Sequence, residues 1–513
     1  MPDPGPLRVR RRTTKGASDP VLLRWIYPNL TAKTQGAATV PLQPAYYKLT
    51  DSETPYFDYF RVVVATDLGT QTYGVSEFWH RTVLRDALQN RFVLDAVIAI
   101  GALSRAVKSR TTGYDTDCNT SLDNGDYHMH YSRALVHYAR ALAKYRSLLA
   151  KESTATVAPR KILIATLLVT VFEAMQGNAY GVDAFTAKGI LVLKDVIMRT
   201  KANSTTSHAA SALDDQGVED AEFYLARRAA VASLLSPLYP QSKRSVMHFR
   251  QFLDESPSPP ELSQNMDTFN SVYMRFLTLT LIWLNRLVDL TASAQLAEML
   301  PKYRLEQKVV ISKISEWLGA VYARLHATPD PSQDPEADPK DWVTLQLIDI
   351  GTKLCYVSAV TFFDPSRKEL SSHQYTGGLV RQLRLVLKTK VSSPYFQRTI
   401  HERLAFSAAN LARECRDSEL RTEIIDLSME IADLGISADM KAALLGYLTL
   451  AKVEDGYRDK AGCLPEAMQH DWTSAFWDKD HTVLHITITA RYPTKHNPRL
   501  KKFALRAREC GLR

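Results

Sequence analysis

Six oxygen-bearing side chains in the segment DTDCNTSLDNGD fall at regular intervals. Asp115, Asp117, Asn119, Ser121, Asp123 and Asp126 take positions 1, 3, 5, 7, 9 and 12 of the stretch, the ligand spacing of a calcium-binding loop. Position 6, where the sharp turn wants glycine, is Thr120, and the closing residue Asp126 is short for bidentate ligation. A solvated Asp/Asn loop is the better reading. His128, His130 and His137 follow, but the last two share a helix face two turns apart, too far for one ion. His401-Glu402-Arg403-Leu404 is followed by Ala405, so the second histidine of HExxH is missing. His481 and His485 have i, i+4 spacing, which suits a helical metal pair, yet they sit where the sequence favours a strand. Phosphate-loop, dinucleotide-fold and nucleophile-elbow signatures are missing from the sequence. With no legible nucleophile–base pair, metal set or phosphate cradle, the expectation is a protein that is not an enzyme and holds no cofactor.

A second polar group lies in VFEAMQGNAYGVDAFTAKGI, where Glu173, Gln176, Asn178 and Asp183 separate two apolar runs. Gly177 is the expected left-handed cap of the first helix. Asn178 suits a turn, and Asp183 fits an N-cap or first-turn position of the second helix. Gly189 leaves room for a neighbouring backbone. The group therefore reads as a corner between buried helices and not as an active site.

The elements that would position these residues are helical. Apolar residues recur at helical spacing in SEFWHRTVLRDAL, RFVLDAVIAIGALSRAV and DYHMHYSRALVHYARALAKYRSLLA. RKILIATLLVTVFEAMQ is apolar nearly all round and should be buried. Further helices are expected near residues 220–235, 266–292, 303–327, 341–362, 376–390, 417–434 and 438–453. The one strand-like stretch is VLHITITARY, residues 483–492. The fold class expected is all-α, a large array of antiparallel helices forming a single regulatory domain with flexible basic tails. Its boundaries are a flexible basic leader at 1–49, a helical body at 50–465 and a basic C-terminal tail at 466–513.

Of 513 residues, 45% are hydrophobic and 23% charged, an ordinary globular balance. Cys118, Cys355, Cys415, Cys463 and Cys510 are far apart, which supports neither a disulfide framework nor a clustered zinc site. The most apolar runs, Ile162–Phe172 and Phe276–Leu284, are shorter than the roughly 20 residues of a spanning helix, and no membrane partner is expected. The net charge of +9 is uneven. Residues 1–50 hold eight Lys/Arg against two Asp, and residues 491–513 hold eight against one Glu. Arg8, Arg10, Arg11, Arg12 and Lys15 are the leading candidates for phosphate contact or nuclear import. KHNPRLKKFALRAREC, 495–510, could form a basic amphipathic helix on Leu500, Phe503, Ala504 and Ala507.

The segment PYFDYFRVVVATDLGTQTYGVSEFWHRTVLRDALQNRFVLDAVIAIGALSRA resembles the start of the regulatory region of fungal zinc binuclear cluster transcription factors. The matching residues are Tyr56, Phe57 and Phe60, then Phe78-Trp79, then the helix from Val93 to Ser104. HYSRALVHYARAL is similar to the family's next helix, and Phe172-Glu173 with Gln176-Gly177 match its apolar hairpin. Thr186 stands one residue from a position the family often gives to His. The likeness covers residues 50–200 in detail and 200–465 by helical character. It implies a nuclear regulator of RNA polymerase II genes, controlling a metabolic or secondary-metabolite pathway. It also implies partners in the transcription machinery, a DNA-binding partner protein or a second copy of the chain. The family's six-cysteine zinc cluster has no counterpart here, because no cysteine precedes Cys118. Zinc and direct promoter contact are expected only if that cluster is encoded upstream. The rival expectation is an all-helical protein-interaction scaffold that does not bind DNA.

Overall fold

The helical period written into residues 50–465 is realised in a computed structural model. It describes residues 47–71, 77–112, 124–150, 159–203, 218–235, 237–241, 256–291, 296–331, 338–363, 373–391, 394–415, 417–434, 436–459, 464–465, 468–478, 482–491 and 499–506. The first elements are short. They are α1 (Thr54–Tyr59), a π-helical turn (Phe60–Val64), α2 (Ala65–Gln71), a second π-helical turn (Phe78–Thr82) and α3 (Val83–Gln89). A π turn inserts one residue. In the first of them this keeps Val64 and Ala65 both buried behind Phe57 and Phe60.

Long helices follow: α4 (Arg91–Thr112), α5 (Asn124–Ala150), α6 (Pro159–Met175), α7 (Ala179–Asn203), α8 (Val218–Leu234), α9 (Met266–Thr291), α10 (Leu296–Ala327) and α11 (Pro339–Thr361). Then come α12 (His373–Lys388), α13 (Pro394–Glu414), α14 (Ser418–Ala432) and α15 (Ala438–Asp455). The body is all-α, as its periodicity predicts. Helix α13 was not anticipated; its interior face is carried largely by alanines, Ala405, Ala408, Ala409 and Ala412, which mark an apolar stripe weakly.

Two hydrophobic cores organise these helices. The first gathers α1 to α6 with α8 to α10 around Trp79, Phe172, Trp283 and Trp317. The second gathers α12 to α15 around Leu383, Leu404, Ile424 and Leu444. Helix α11 belongs to both. Leu345, Ile348, Cys355 and Ala359 enter the first core, while Trp342, Val343, Leu347 and Ile350 enter the second. It is long and apolar enough to cross a bilayer by length and composition, although the most apolar runs in the sequence are too short to do so. Burial on both faces marks it as a core helix.

Residues 466–513, expected as a basic tail, contain a three-stranded antiparallel sheet. It consists of β1 (His470–Trp477), β2 (Val483–Ala490) and β3 (Leu500–Arg506), in the order β1-β2-β3. The strand expected at 483–492 thus has partners on both sides. The helix expected over 495–510 is replaced by β3, whose Phe503 and Leu505 pair with Ile486 and Leu484 of β2. Alternation won over the helical stripe because Lys501, Phe503 and Leu505 are the half-buried positions.

A buried ion pair fastens the sheet to the helices. Arg421 on α14 and Glu454 on α15 are both fully enclosed, 2.8 Å apart. Glu454 also accepts the His470 N–H at 2.9 Å, where β1 begins. Removing one partner of such a pair strands the other charge. Arg421→Met should therefore lower unfolding free energy by about 3–5 kcal/mol, measured by chemical denaturation of the full chain. A loss below about 1 kcal/mol would show that the pair is dispensable.

Candidate functional site

The sequence candidates separate into packing, polar ties and a cavity. Tyr56, Phe57, Phe60, Phe78 and Trp79 are all buried in the first core. Trp79 meets Phe78 edge-on at 5.0 Å and Tyr224 of α8 at 5.7 Å. Phe172 stacks on Tyr138 of α5 with ring centroids 3.9 Å apart. Helix α1 lies so close to α4 that a methyl group on Gly101 would collide with the Tyr56 carbonyl.

The polar corner does what turn chemistry predicts, with one exchange of roles. Gly177 adopts φ 71°, the left-handed conformation that ends α6. The cap of α7 is Asn178, not Asp183: its Oδ1 accepts the Gly181 N–H at 3.1 Å. Asp183 lies a turn inside α7, and its buried Oδ2 accepts the Gln241 N–H at 2.8 Å. Glu173 accepts hydrogen bonds from Tyr138 Oη and from Asn178 Nδ2, the latter at 2.6 Å. Gln176 Oε1 accepts from Tyr131 Oη at 3.4 Å. The corner is thereby tied to α5. Burial, reinforced by Glu173, pushes the Tyr138 hydroxyl far up, so it stays a neutral donor.

The histidines on α5 also face inward. His130 Nδ1 and Tyr56 Oη share a hydrogen bond of 2.9 Å, and burial holds His130 below its usual range, in the neutral form. His137 Nδ1 lies 2.7 Å from Asp95 Oδ1. Asp95, Glu53 and His137 bring three ligand atoms within 4.8 Å of one another. The guanidinium of Arg91 already occupies their centre of charge, bonded to Glu53 and, at 3.0 Å, to Asp95. The arrangement is an ion-pair seam joining α1, α4 and α5.

Arg8, Arg10, Arg11, Arg12 and Lys15 lie outside the described residues, as do Asp115, Asp117, Asn119, Ser121, Asp123 and His481. Glu402 holds Ser437, the N-cap of α15, by accepting its N–H and hydroxyl at 2.5 and 3.0 Å. His485 lies on strand β2, not on a helix. The family's zinc cluster needs clustered thiolates, and the cysteines described do not fit it. Cys355 and Cys415 are buried on separate elements, and burial pushes the Cys355 thiol up to about 12.

What the sequence hid is a cavity of about 1240 Å³ between the two cores. Its apolar wall comes from α9 and α11, with Tyr273, Leu277, Leu354 and Cys355. Its polar lining includes Arg227 and Arg228 on α8, Tyr239, Asp439 on α15, and Glu402, Arg403 and Asn410 on α13. Tyr239 donates to Asp439, 200 positions away in sequence, and the Arg228 guanidinium sits 5.4 Å over the Tyr239 ring. Arg228 Nε is enclosed without a hydrogen-bond partner among the described residues. Burial, reinforced by Asp439, holds the Tyr239 hydroxyl well above its usual range. A large cavity whose lining mixes apolar side chains with converging polar and charged ones is suited to binding. Burial holds the Tyr239 and Tyr273 hydroxyls and the Cys355 thiol above their usual ranges, which does not suit them to attack.

The seam gives a pH signature. Burial pushes Glu53 up, but hydrogen bonds from Arg91 and the Thr50 N–H outweigh it, and the carboxyl falls from 4.5 to about 2. The unfolded chain takes up this proton near 4.5 and the folded chain near 2. The stabilisation is therefore complete above pH 4.5 and lost as the pH falls towards 2. Glu53→Gln should be less stable than the parent at neutral pH, with the gap closing across that window. Acid titration of the thermal midpoint measures it; a gap independent of pH would contradict the assignment.

Residues 55–199 match the family model described as the fungal specific transcription factor domain. Neither the curated proteins nor the solved structures compared with the chain contain a match. The matched segment runs from α1 to α7 and holds the aromatic motif, Arg91, Asp95 and His137 of the seam, and the Gly177 corner. Such a regulatory domain implies transcriptional regulation, nuclear work and transcriptional partners. Over residues 55–199 the chain is therefore similar to the fungal specific transcription factor domain, a likeness that points to transcriptional regulation.

Proposed function

We propose that the chain is a nuclear regulator of RNA polymerase II genes whose helical body senses a small molecule in the chamber between its two cores. The observation that carries this is the regulatory domain at 55–199 standing beside a chamber of about 1240 Å³. The chamber is larger than the roughly 300–1,000 Å³ typical of ligand pockets, so a bulky effector fits. Its apolar lining suits an extended or aromatic body. Arg228 and Arg227 suit an acidic or hydrogen-bond-accepting head group.

Both cores contribute to the wall, so a ligand seated there contacts α8 and α11 together with α15 and biases how the cores sit against each other. A pathway in primary or secondary metabolism is the proposed target, because its intermediates would supply such a molecule. The DNA contact is assigned to a partner protein or to a zinc-cluster module outside this sequence. The basic residues Arg8, Arg10, Arg11, Arg12 and Lys15 are proposed to serve nuclear import.

Fusing the full chain to an unrelated DNA-binding module in a fungal host tests the regulatory reading. A reporter bearing that module's sites should change its output several-fold in either direction. An output equal to that of the DNA-binding module alone would favour a scaffold with no regulatory activity.

A further inference from the structure

The C-terminal sheet has one face packed on the helices and one turned to solvent. Trp472, Ala475, Leu484, Ile486 and Ile488 point into the second core, and Ala490 is buried on the same face. The register then fixes what shares the outer face. Phe476 lies beside His485 and Ala504, Thr487 beside Lys502, Thr489 beside Leu500, and Val483 beside Arg506.

Three features of that face belong together. Phe476 is 59% exposed and lies flat on His485, with centroids 4.8 Å apart and planes 17° from parallel. Lys502 and Arg506 are exposed on β3; of the acids at this face, Asp471 is held by Arg491 in bonds of 2.8 and 2.9 Å, and Asp478, opposite Val483, accepts the Thr482 and Val483 N–H groups at 2.7 and 3.0 Å. A row of hydroxyls runs along it, with Thr473 Oγ1 bonded to Thr489 Oγ1 at 3.1 Å and to the Thr487 carbonyl at 3.2 Å. The surrounding sequence is cationic, since residues 491–513 carry eight Lys/Arg and one acid.

We propose that this outer face binds single-stranded RNA. Phe476, backed by His485, offers a flat platform for an unstacked base. Lys502 and Arg506 neutralise phosphates on one side of it. The threonine row supplies hydroxyl partners for ribose 2′-OH groups, which DNA lacks. Three strands spaced about 4.8 Å apart span roughly 10 Å, room for two or three splayed bases. A duplex keeps its bases stacked inside and cannot use the platform. An acidic peptide added to the β3 edge would be held by backbone groups and would have no use for an exposed aromatic stack. The inference is independent of the chamber and its effector.

The test is fluorescence anisotropy of the full chain with a labelled oligouridine of about twelve nucleotides across a salt series. Phe476→Ala should weaken binding by about tenfold, and Lys502→Ala with Arg506→Ala should reduce the salt slope by about 1.4. Tyr180→Ala removes a still more exposed ring on α7, 76% exposed, and should change nothing. Each altered side chain is on the surface, and an unchanged melting curve verifies the fold. Three results would each overturn the proposal: no binding by the parent chain, equal binding by Phe476→Ala, or oligothymidine or polyglutamate competing as well as the RNA.

Discussion

One helix has to satisfy two cores. Each face of α11 is claimed by a different hydrophobic cluster, with Ile348 and Cys355 on one side and Val343 and Ile350 on the other. A cylinder about 10 Å across cannot fill the space between two curved helical layers along its whole length. Where it falls short, the chamber opens, and Gly351, Leu354 and Ser358 of α11 form part of its wall. The receptor reading depends on this constraint. Val182, Ala232 and Tyr239 of the first half also enter the second core, so together with α11 they make a change at the chamber a change for both.

Charged groups inside the molecule are used to fix how elements meet. Arg91 joins α1 to α4, Arg160 on α6 reaches Asp86 on α3 at 2.8 Å, and Arg421 joins α14 to α15. Each links segments that an apolar interface alone would allow to slide. Breaking one should loosen a specific joint, because buried pairs are more costly to split than to replace with apolar residues. The corner at Gly177 follows the same logic with hydrogen bonds, since Glu173 and Gln176 bind the hairpin to Tyr138 and Tyr131 of α5 and Asn178 ties Glu173 to the turn.

The body was legible in the sequence wherever local pattern decides structure. Helix α6 was marked by its unbroken apolar run, the end of that helix by Gly177, and the regulatory segment by Tyr56, Phe78-Trp79 and Phe172. Strand β2 was visible through its alternation. Its partners were not, because β1 and β3 gain their order from pairing with β2 and from packing on α15, neither of which leaves a local signal. Asp183 misled because an acid near a helix start reads as a cap, while its real partner, Gln241, lies 58 residues on. The chamber was illegible for a similar reason. Its polar wall unites Arg228, Tyr239 and Asp439 from distant elements, and no spacing rule connects them.

The central claim is that the space between the cores is a receptor site. The direct measurement is native mass spectrometry of the full chain purified from a fungal host, alongside Ser358→Trp, which puts an indole into the chamber from α11. The account predicts a small organic molecule bound to the parent chain and absent from the variant, with both proteins folded. A parent chain carrying no such molecule, or a variant that retains it, would contradict the account.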